Sequence, residues 1–325
     1  MKNSTKLITH VLFLLLPALW SCSTGQQASH STTMNAHYYS YTVQTQTLPN
    51  GQEVAYTDTG SGEETLLLVH GLGSYLPIYN KLIPLLSDQY RCIAIDLPGF
   101  GKSGWPIADT LSISWYAEQL TQFIREMDLE NVTLLGHSMG AQISMRLALN
   151  EEIPLQQLVL LAPAGIETFT PEEAAQMKQV MTPVSIYSQP DAQIQQNFAV
   201  NFADNQLHAD AQFMYEDRLK LKADSNAYQR FATVFTQSVA AMLNGPVFQE
   251  LDQLSVPTLV LFGENDLLIP NRYLHPGLTT DKVGESARDQ IPNCELKMLP
   301  NCGHFVPWEQ PDMVSEAILR EVEVK

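Results

Sequence analysis

Short apolar runs alternate with amphipathic stretches of helix length along most of the chain. Eight runs have the length and residue types of strands, and they lie near 41–46, 53–60, 65–71, 91–99, 132–138, 155–165, 257–266 and 294–300. The first two flank the turn signal Pro49-Asn50-Gly51 and are expected to form a hairpin. Between later runs, stretches such as Ser112–Leu129 place apolar side chains near one helical face. This alternation predicts an α/β domain with a mostly parallel sheet flanked by helices.

The alternation is interrupted once. From 166 to 244 there is no clean strand pattern, and helix-forming residues mixed with Met, Phe and Gln dominate instead. Strand-like runs resume at Pro257. The simplest interpretation is a helical insertion, 166–244, after the sixth strand of a core formed by 38–165 and 245–325.

The N-terminal pattern differs from the rest. Lys2 and Lys6 precede the apolar run Leu7–Trp20, which is too short for a membrane span with such flanks. The run leads into Leu19-Trp20-Ser21-Cys22, which resembles the lipobox of bacterial lipoproteins, with a small residue just before the cysteine that receives the lipid.

We therefore expect an exported, lipid-anchored protein. Residues 1–21 would be a signal peptide, and Cys22 would be the lipidated N-terminus. The polar segment 22–37 would be a flexible tether to a bacterial membrane, at the periplasmic face or the cell surface. A plain secretory signal and an uncleaved anchor helix are the alternatives.

Composition narrows the function classes. The 325 residues include 35 acidic and 18 basic side chains, a formal net charge of −17. Such a surface repels nucleic acid, so no nucleic-acid partner is expected. No Cys and His spacing is typical of a metal site, and neither a metal nor a cofactor is predicted.

Cys294 and Cys302 flank the last predicted strand, which would hold them beyond disulfide reach of about 7 Å, although export would permit a bridge.

The pentapeptide Gly136-His137-Ser138-Met139-Gly140 joins a predicted strand to a predicted helix. A serine hydroxyl is a weak nucleophile, which needs a base within hydrogen-bond reach and donors for the oxyanion that its attack creates. A sharp strand-to-helix turn lifts the serine out of the sheet and aims a helix N-terminus at the reacting group. The flanking glycines let strand and helix approach closely. Gly-x-Ser-x-Gly in this context predicts that Ser138 is a nucleophile.

Five motifs resemble those of the α/β-hydrolase superfamily and occur in its order. They are LVHGLG at 68–73, DLPGFGKS at 96–103, LLGHSMG at 134–140, LFGENDLLIP at 261–270 and NCGHFVPWEQP at 301–311. The resemblance implies the α/β-hydrolase fold over about 38–323, with the insertion as a helical cap over the serine. It also implies an oxyanion hole formed by the backbone N–H groups of Leu72 and Met139.

The base and the acid of a Ser-His-Asp triad can be identified by their positions relative to the predicted strands. Among the eight histidines, His304 follows the last predicted strand and precedes a helix start, so it is the best candidate base. His137 adjoins the nucleophile, and its side chain is expected to point away from it. Asp266 ends a strand and lies between Ser138 and His304 in chain order, as the acid should. Glu264 is its nearby competitor.

These residues predict a serine hydrolase that cleaves a small to medium, hydrophobic ester through an acyl-enzyme. The Met and Phe side chains of the insertion can line an apolar pocket. No basic cluster in the insertion indicates an anionic substrate. The same triad can serve carbon–carbon bond hydrolysis, acyl transfer or perhydrolysis, and a non-catalytic, lipid-anchored binding module is a further alternative. Nothing in the sequence predicts the oligomeric state.

Overall fold

One eight-stranded sheet organises residues 38–323, the part of the chain that the computed structural model describes. The strands are β1 (Gln44–Thr47), β2 (Glu53–Thr59), β3 (Glu64–Val69), β4 (Tyr90–Ile95), β5 (Val132–His137), β6 (Leu155–Leu161), β7 (Thr258–Gly263) and β8 (Cys294–Leu299). Their order across the sheet is β1-β2-β4-β3-β5-β6-β7-β8. β1 and β2 form an antiparallel hairpin, β2 is antiparallel to β4, and the other neighbours are parallel. The predicted α/β fold is confirmed.

The inner strands are apolar on both faces, as strands buried between two helical layers must be. Every residue of β5 and β7 is buried, and so is β3 from Thr65 to Val69. At the sheet edges, β1 and β8 are mostly exposed or half-buried. The core therefore lies around the parallel strands that end at the candidate site.

Eleven α-helices are formed by the described residues. They are α1 (Ile83–Leu86), α2 (Ile113–Glu126), α3 (Met139–Leu149), α4 (Pro171–Val180), α5 (Pro183–Tyr187), α6 (Asp191–Ala199), α7 (Gln212–Ala223), α8 (Ser225–Asn244), α9 (Thr280–Gln290), α10 (Val306–Glu309) and α11 (Pro311–Glu323). Helices α4 to α8 all lie between β6 and β7, and we call residues 166–244 the cap.

Local capping signals explain where the cap helices begin. Thr170 and Thr182 form capping boxes at the starts of α4 and α5, and the Asp224 carboxylate accepts two N–H groups at the start of α8. α8 has 20 residues and packs against α4, α5 and α7. The described residues between 166 and 244 form no strand, so the interruption of the strand pattern is a real change of architecture.

Helices of residues 38–323 are too short or too polar to cross a bilayer. The same residues contain no group of three or more His, Cys, Asp and Glu side chains that could hold a metal ion. Cys92, Cys294 and Cys302 are free thiols. The predictions for 1–21 and 22–37, including lipidation of Cys22, fall outside the described residues.

Candidate active site

Four loops meet at the carboxyl edge of the parallel strands. Leu72 lies in the turn after β3, Ser138 follows β5, Asp266 follows β7 and His304 follows β8. Because these strands are parallel, their carboxyl ends share the edge where ligand sites of open α/β sheets form. Leu72, Ser138 and His304 line one cavity of about 470 Å³, together with residues of the cap.

Ser138 occupies a strained turn between β5 and α3. Its φ is 54° and its ψ is −117°, which a side-chain-bearing residue adopts only where the surrounding structure requires it. The flanking glycines explain how tight the turn is. A Cβ on Gly136 would lie 2.5 Å from the Cα of Ala141, and a Cβ on Gly140 would lie 2.2 Å from the carbonyl oxygen of Val69. The turn brings Ser138 to the cavity wall at the N-terminus of α3.

His304 and Asp266 form a buried pair. His304 Nδ1 lies 2.8 Å from Asp266 Oδ2, and the residues are 4 % and 0 % exposed. Asp266 Oδ1 accepts the N–H groups of Leu268 and Ile269 at 2.7 and 2.9 Å. The carboxylate is thereby fixed in place, holds the His304 proton on Nδ1 and leaves Nε2 as the basic nitrogen. The competing acid Glu264 is exposed to solvent.

A buried histidine braces the turn after β3. His70 Nε2 accepts the N–H of Leu97 at 2.9 Å, and its Nδ1–H donates to the carbonyl oxygen of Gly71 at 2.7 Å. Burial lowers the pKa of His70 to about 4, so the ring is neutral, as these two bonds require. A Cβ on Gly71 would lie 2.9 Å from the Cβ of Ser138. The braced backbone therefore passes directly beside the serine.

The two predicted oxyanion donors lie next to this contact. Leu72 follows Gly71 and lines the cavity. Met139 is the first residue of α3, so its N–H is among the helix-terminal groups that lack an intrahelical acceptor. Met139 is fully buried, and its backbone N–H lies at the N-terminus of α3 directly after Ser138. The predicted site residues of the described chain are thus brought together, and their catalytic roles stay a prediction.

The sequence led us to expect only that the His137 side chain points away from Ser138, and the structure adds a contact with the candidate base. Its ring lies 5.0 Å from the ring of His304 and forms part of the cavity wall. Its Nε2–H donates to the carbonyl oxygen of His304 at 2.8 Å. His137 still belongs to β5, so strand geometry and not the following turn orients its side chain. Burial lowers its pKa to about 3, and the neutral ring helps to hold the His304 loop.

Arg218 is a cation in the cavity wall that the sequence pattern did not reveal. It lies on α7, donates a hydrogen bond to the carbonyl oxygen of Gly73 and stands 4.0 Å from the centre of the Phe231 ring. Within residues 38–323 no carboxylate forms an ion pair with it. Burial lowers its pKa to about 10. A single arginine carries no sequence signal, and only the fold brings it to the cavity of Ser138.

A carboxylate lines the cavity where the cap begins. Glu167 has a side chain only 6 % exposed, accepts the N–H of Asn271 on both oxygens at 2.9 and 3.1 Å, and binds Nδ1 of His275. His275 Nε2 also lies 3.4 Å from Glu173. Burial opposes the charged ring, but the two carboxylates outweigh it and raise the pKa of His275. These contacts bind the start of the cap to the loop that follows Asp266.

A family model described as the α/β hydrolase fold matches residues 64–311. The chain belongs to the α/β-hydrolase family. The match runs from β3 to the helix that follows the His304 loop, and it includes the cap. The protein is therefore a hydrolase of the α/β fold, as its motif order predicted.

Several proteins similar to this chain are named as hydrolases. The chain is 26 % identical over 278 residues to the uncharacterized hydrolase YugF of Bacillus subtilis (strain 168). The alignment covers 79 % of this chain and 89 % of the relative. It is 27 % identical over 279 residues to a 2-hydroxy-6-oxononadienedioate/2-hydroxy-6-oxononatrienedioate hydrolase of Pseudomonas putida. This alignment covers 82 % of this chain and 90 % of the relative. A solved structure of a probable hydrolytic enzyme from Pseudomonas aeruginosa PAO1 has a TM-score of 0.75 at 23 % identity. The superposition covers 88 % of this chain and 95 % of that structure. The last likeness concerns the fold alone.

Proposed function

We propose that this α/β hydrolase cleaves a carboxylic ester through an acyl-enzyme on Ser138. The observation that carries the proposal is the buried His304–Asp266 pair at the cavity that Ser138 enters from its strained turn. His304 Nε2 takes the hydroxyl proton as Ser138 attacks the carbonyl carbon, and the N–H groups of Leu72 and Met139 bind the oxyanion. The proton then passes to the leaving alcohol. Water, deprotonated by the same nitrogen, releases the acid.

The cavity favours a small to medium hydrophobic acyl or aromatic group. Its volume of about 470 Å³ is in the range of small-molecule sites. The apolar cap residues in its wall are Phe169, Met177, Met181, Ile186, Ile194, Phe198, Val200, Met214, Phe235, Val239, Met242 and Leu243. Flexible thioethers and aromatic rings adapt to hydrophobic groups of varied shape. Hydrophobic esters are therefore the proposed substrate class.

Hydrolysis of p-nitrophenyl esters of increasing chain length tests this proposal, on protein that begins at Tyr38. We expect Ser138→Ala to lower kcat at least ~10³-fold, the size of effect seen when a triad member is lost. The matched control is Ser114→Ala, which removes an exposed hydroxyl from α2 and should retain full activity. If no ester is turned over but a fluorophosphonate labels Ser138, the nucleophile stands and the ester assignment fails. If neither reaction occurs, the binding-module alternative is favoured.

Arg218 favours a second candidate, hydrolysis of a carbon–carbon bond in an acid-bearing substrate. The Pseudomonas putida relative is named for a dienedioate, which carries two carboxylates. A guanidinium without a described carboxylate partner can bind such a group through charge-assisted hydrogen bonds. Turnover of a dienedioate by the wild type and not by Ser138→Ala, with weak activity on neutral esters, would favour this candidate over the ester.

We also propose that the protein is exported and held at a bacterial membrane by lipid on Cys22. The support is the N-terminal sequence: Lys2 and Lys6, then an apolar run, then a small residue before the cysteine. The polar segment 22–37 gives a tether about 20–25 Å long on average, for a flexible chain of that number of residues. Such a tether would keep the catalytic domain close to the membrane without spanning it.

A further inference from the structure

Glu309 holds two distant parts of the chain with one carboxylate. Its Oε2 accepts the N–H of Gly303 at 2.8 Å, and its Oε1 accepts the N–H of Ala203 at 3.0 Å. Gly303 directly precedes His304, whereas Ala203 belongs to the cap and lies 106 residues from Glu309 in the chain. The carboxylate therefore ties the loop of the candidate base to the cap.

The cap and this loop also touch backbone to backbone. A Cβ on Gly303 would lie 2.6 Å from both the Ala203 nitrogen and the Asn201 carbonyl oxygen. The N–H of Phe305 donates to that same Asn201 oxygen at 3.0 Å. The ring of Phe305 packs edge-on against that of Phe202, with centres 5.5 Å apart. Only glycine allows an approach this close at 303.

We call the contact of 201–203 with 303–305 the cap seam. On the core side, His137 donates to the carbonyl oxygen of His304. On the cap side, Glu309 binds the N–H that precedes His304. The carbonyl group of the base is thus held by the core, and the N–H of the residue before it is held by a side chain that also binds the cap.

The charge of Glu309 makes these bonds strong. Hydrogen bonds to an ionised carboxylate are roughly twice as strong as bonds between neutral groups. Burial raises the pKa of Glu309 and its two backbone bonds oppose that rise; the ionisable groups that face it are His208 and Asp204 from the cap and Cys302 from the loop. Glu309 is not among the described residues of the cavity wall, so it does not contact a substrate.

We propose that Glu309 is a positioning residue for His304 and makes the alignment of this base depend on a seated cap. When residues 201–203 leave the seam, the carboxylate loses one of its two donors and the loop loses the backbone contact at Gly303. A productive site then exists only beneath a closed cap. The inference rests on the proposed function, because it takes His304 as the base.

The test compares Glu309→Gln with Glu316→Gln, which changes an exposed glutamate on α11. Glutamine keeps the size of the side chain but turns one acceptor into a donor, which then faces a backbone N–H. We expect Glu309→Gln to lower kcat on the best ester about 10- to 100-fold and to change KM less than about twofold, because a misaligned base slows chemistry without altering substrate contacts. Glu316→Gln should match the wild type.

Fluorophosphonate labelling of Ser138 separates positioning from loss of the fold. A positioning role slows labelling of protein that thermal unfolding shows to be fully folded. A wild-type kcat, a rise in KM alone, or a loss equal to the unfolded fraction would overturn the inference. Ala203→Pro, which removes the cap's N–H donor and leaves the Glu309 carboxylate in place, should act in the same direction if Glu309→Gln fails to fold. If the wild type itself cannot be labelled, the proposed function has failed and the inference falls with it.

Discussion

Arg218 brings a positive charge into a cavity wall made largely of apolar cap residues. Burial lowers its pKa to about 10, so it is still a cation near neutral pH. The guanidinium stacks over the Phe231 ring and donates one hydrogen bond to the Gly73 carbonyl oxygen. Within residues 38–323 no further hydrogen-bond acceptor is described for this side chain, which has five N–H donors. A substrate with a carboxylate beside its apolar groups, as proposed for the second candidate, would match this charge.

The substitution Arg218→Met tests whether Arg218 binds a carboxylate of the substrate. We expect kcat/KM for a p-nitrophenyl ester with a terminal carboxylate on its acyl chain to fall about 10- to 100-fold, the equivalent of one hydrogen bond between charged groups. The neutral ester of the same length should change less than about threefold. Steady-state kinetics on the two esters measure the difference. Equal losses on both would show that Arg218 supports the fold of the cap and not the substrate.

The turn at Ser138 leads to a prediction about stability. Gly140→Ala puts a Cβ 2.2 Å from the Val69 carbonyl oxygen, so either α3 or β3 must move. We expect a loss of about 1–3 kcal/mol in the free energy of unfolding, typical of an overpacked site. The control is Gly277→Ala, which has nothing within 4 Å of its new Cβ and should leave stability nearly unchanged. Denaturant unfolding compares the two, and an equally stable Gly140→Ala would contradict the tight packing of the turn.

The sequence alone could identify residues whose chemistry depends on their place next to a strand end. Ser138 has a strand before it and a helix after it, and Asp266 and His304 follow strands in the expected chain order. Arg218 and Glu309 could not be found this way. Their partners Gly73 and Ala203 lie 145 and 106 residues away, and only packing of the cap brings them together.

At the scale of elements, the inner strands could be predicted because they are buried on both faces and read as unbroken apolar runs. The edge of the sheet was less well defined. The first strand was expected near 41–46 and is observed at Gln44–Thr47, where most side chains are exposed and leave no apolar signal. The link between cap and acid loop, from Glu167 to His275, had no local pattern at all.

The contact between Glu167 and His275 should weaken as the pH rises. The pKa of His275 is raised in the folded protein, so its contribution to stability is fully present below its ordinary pKa of about 6.5 and is lost as pH rises through the raised value. The ionisable groups that face His275 are Glu167 and Glu173. We expect the difference in Tm between wild type and His275→Gln to shrink from about pH 6 to about pH 9. A difference that is constant over this range would exclude a charged His275.

At the scale of the whole molecule, the net charge of −17 disfavours binding to anionic surfaces, so charge alone would not hold the protein at a membrane. Lipid on Cys22 is therefore the proposed attachment. We expect wild-type protein in the membrane fraction of a bacterial host and Cys22→Ser in the soluble fraction, measured by immunoblot after carbonate extraction. Cys294→Ser, a change at a free thiol of the folded domain, is the control and should stay with the membranes. Membrane retention of Cys22→Ser would favour an uncleaved anchor helix instead.

The chain leaves the sheet for the cap after β6 and returns at β7, and these two strands are direct neighbours, paired from Leu158 with Thr258 to Leu161 with Leu261. The cap is one continuous segment of the chain, and its two ends lie close together: a Cβ on Gly165 would lie 2.9 Å from a side-chain carbon of Val247. A chimera that exchanges 166–244 for the corresponding piece of another hydrolase would keep the nucleophile, acid and base on their own strands. We expect such a chimera to change substrate preference while keeping the site, provided that the new cap brings a surface that fits Gly303 and Glu309.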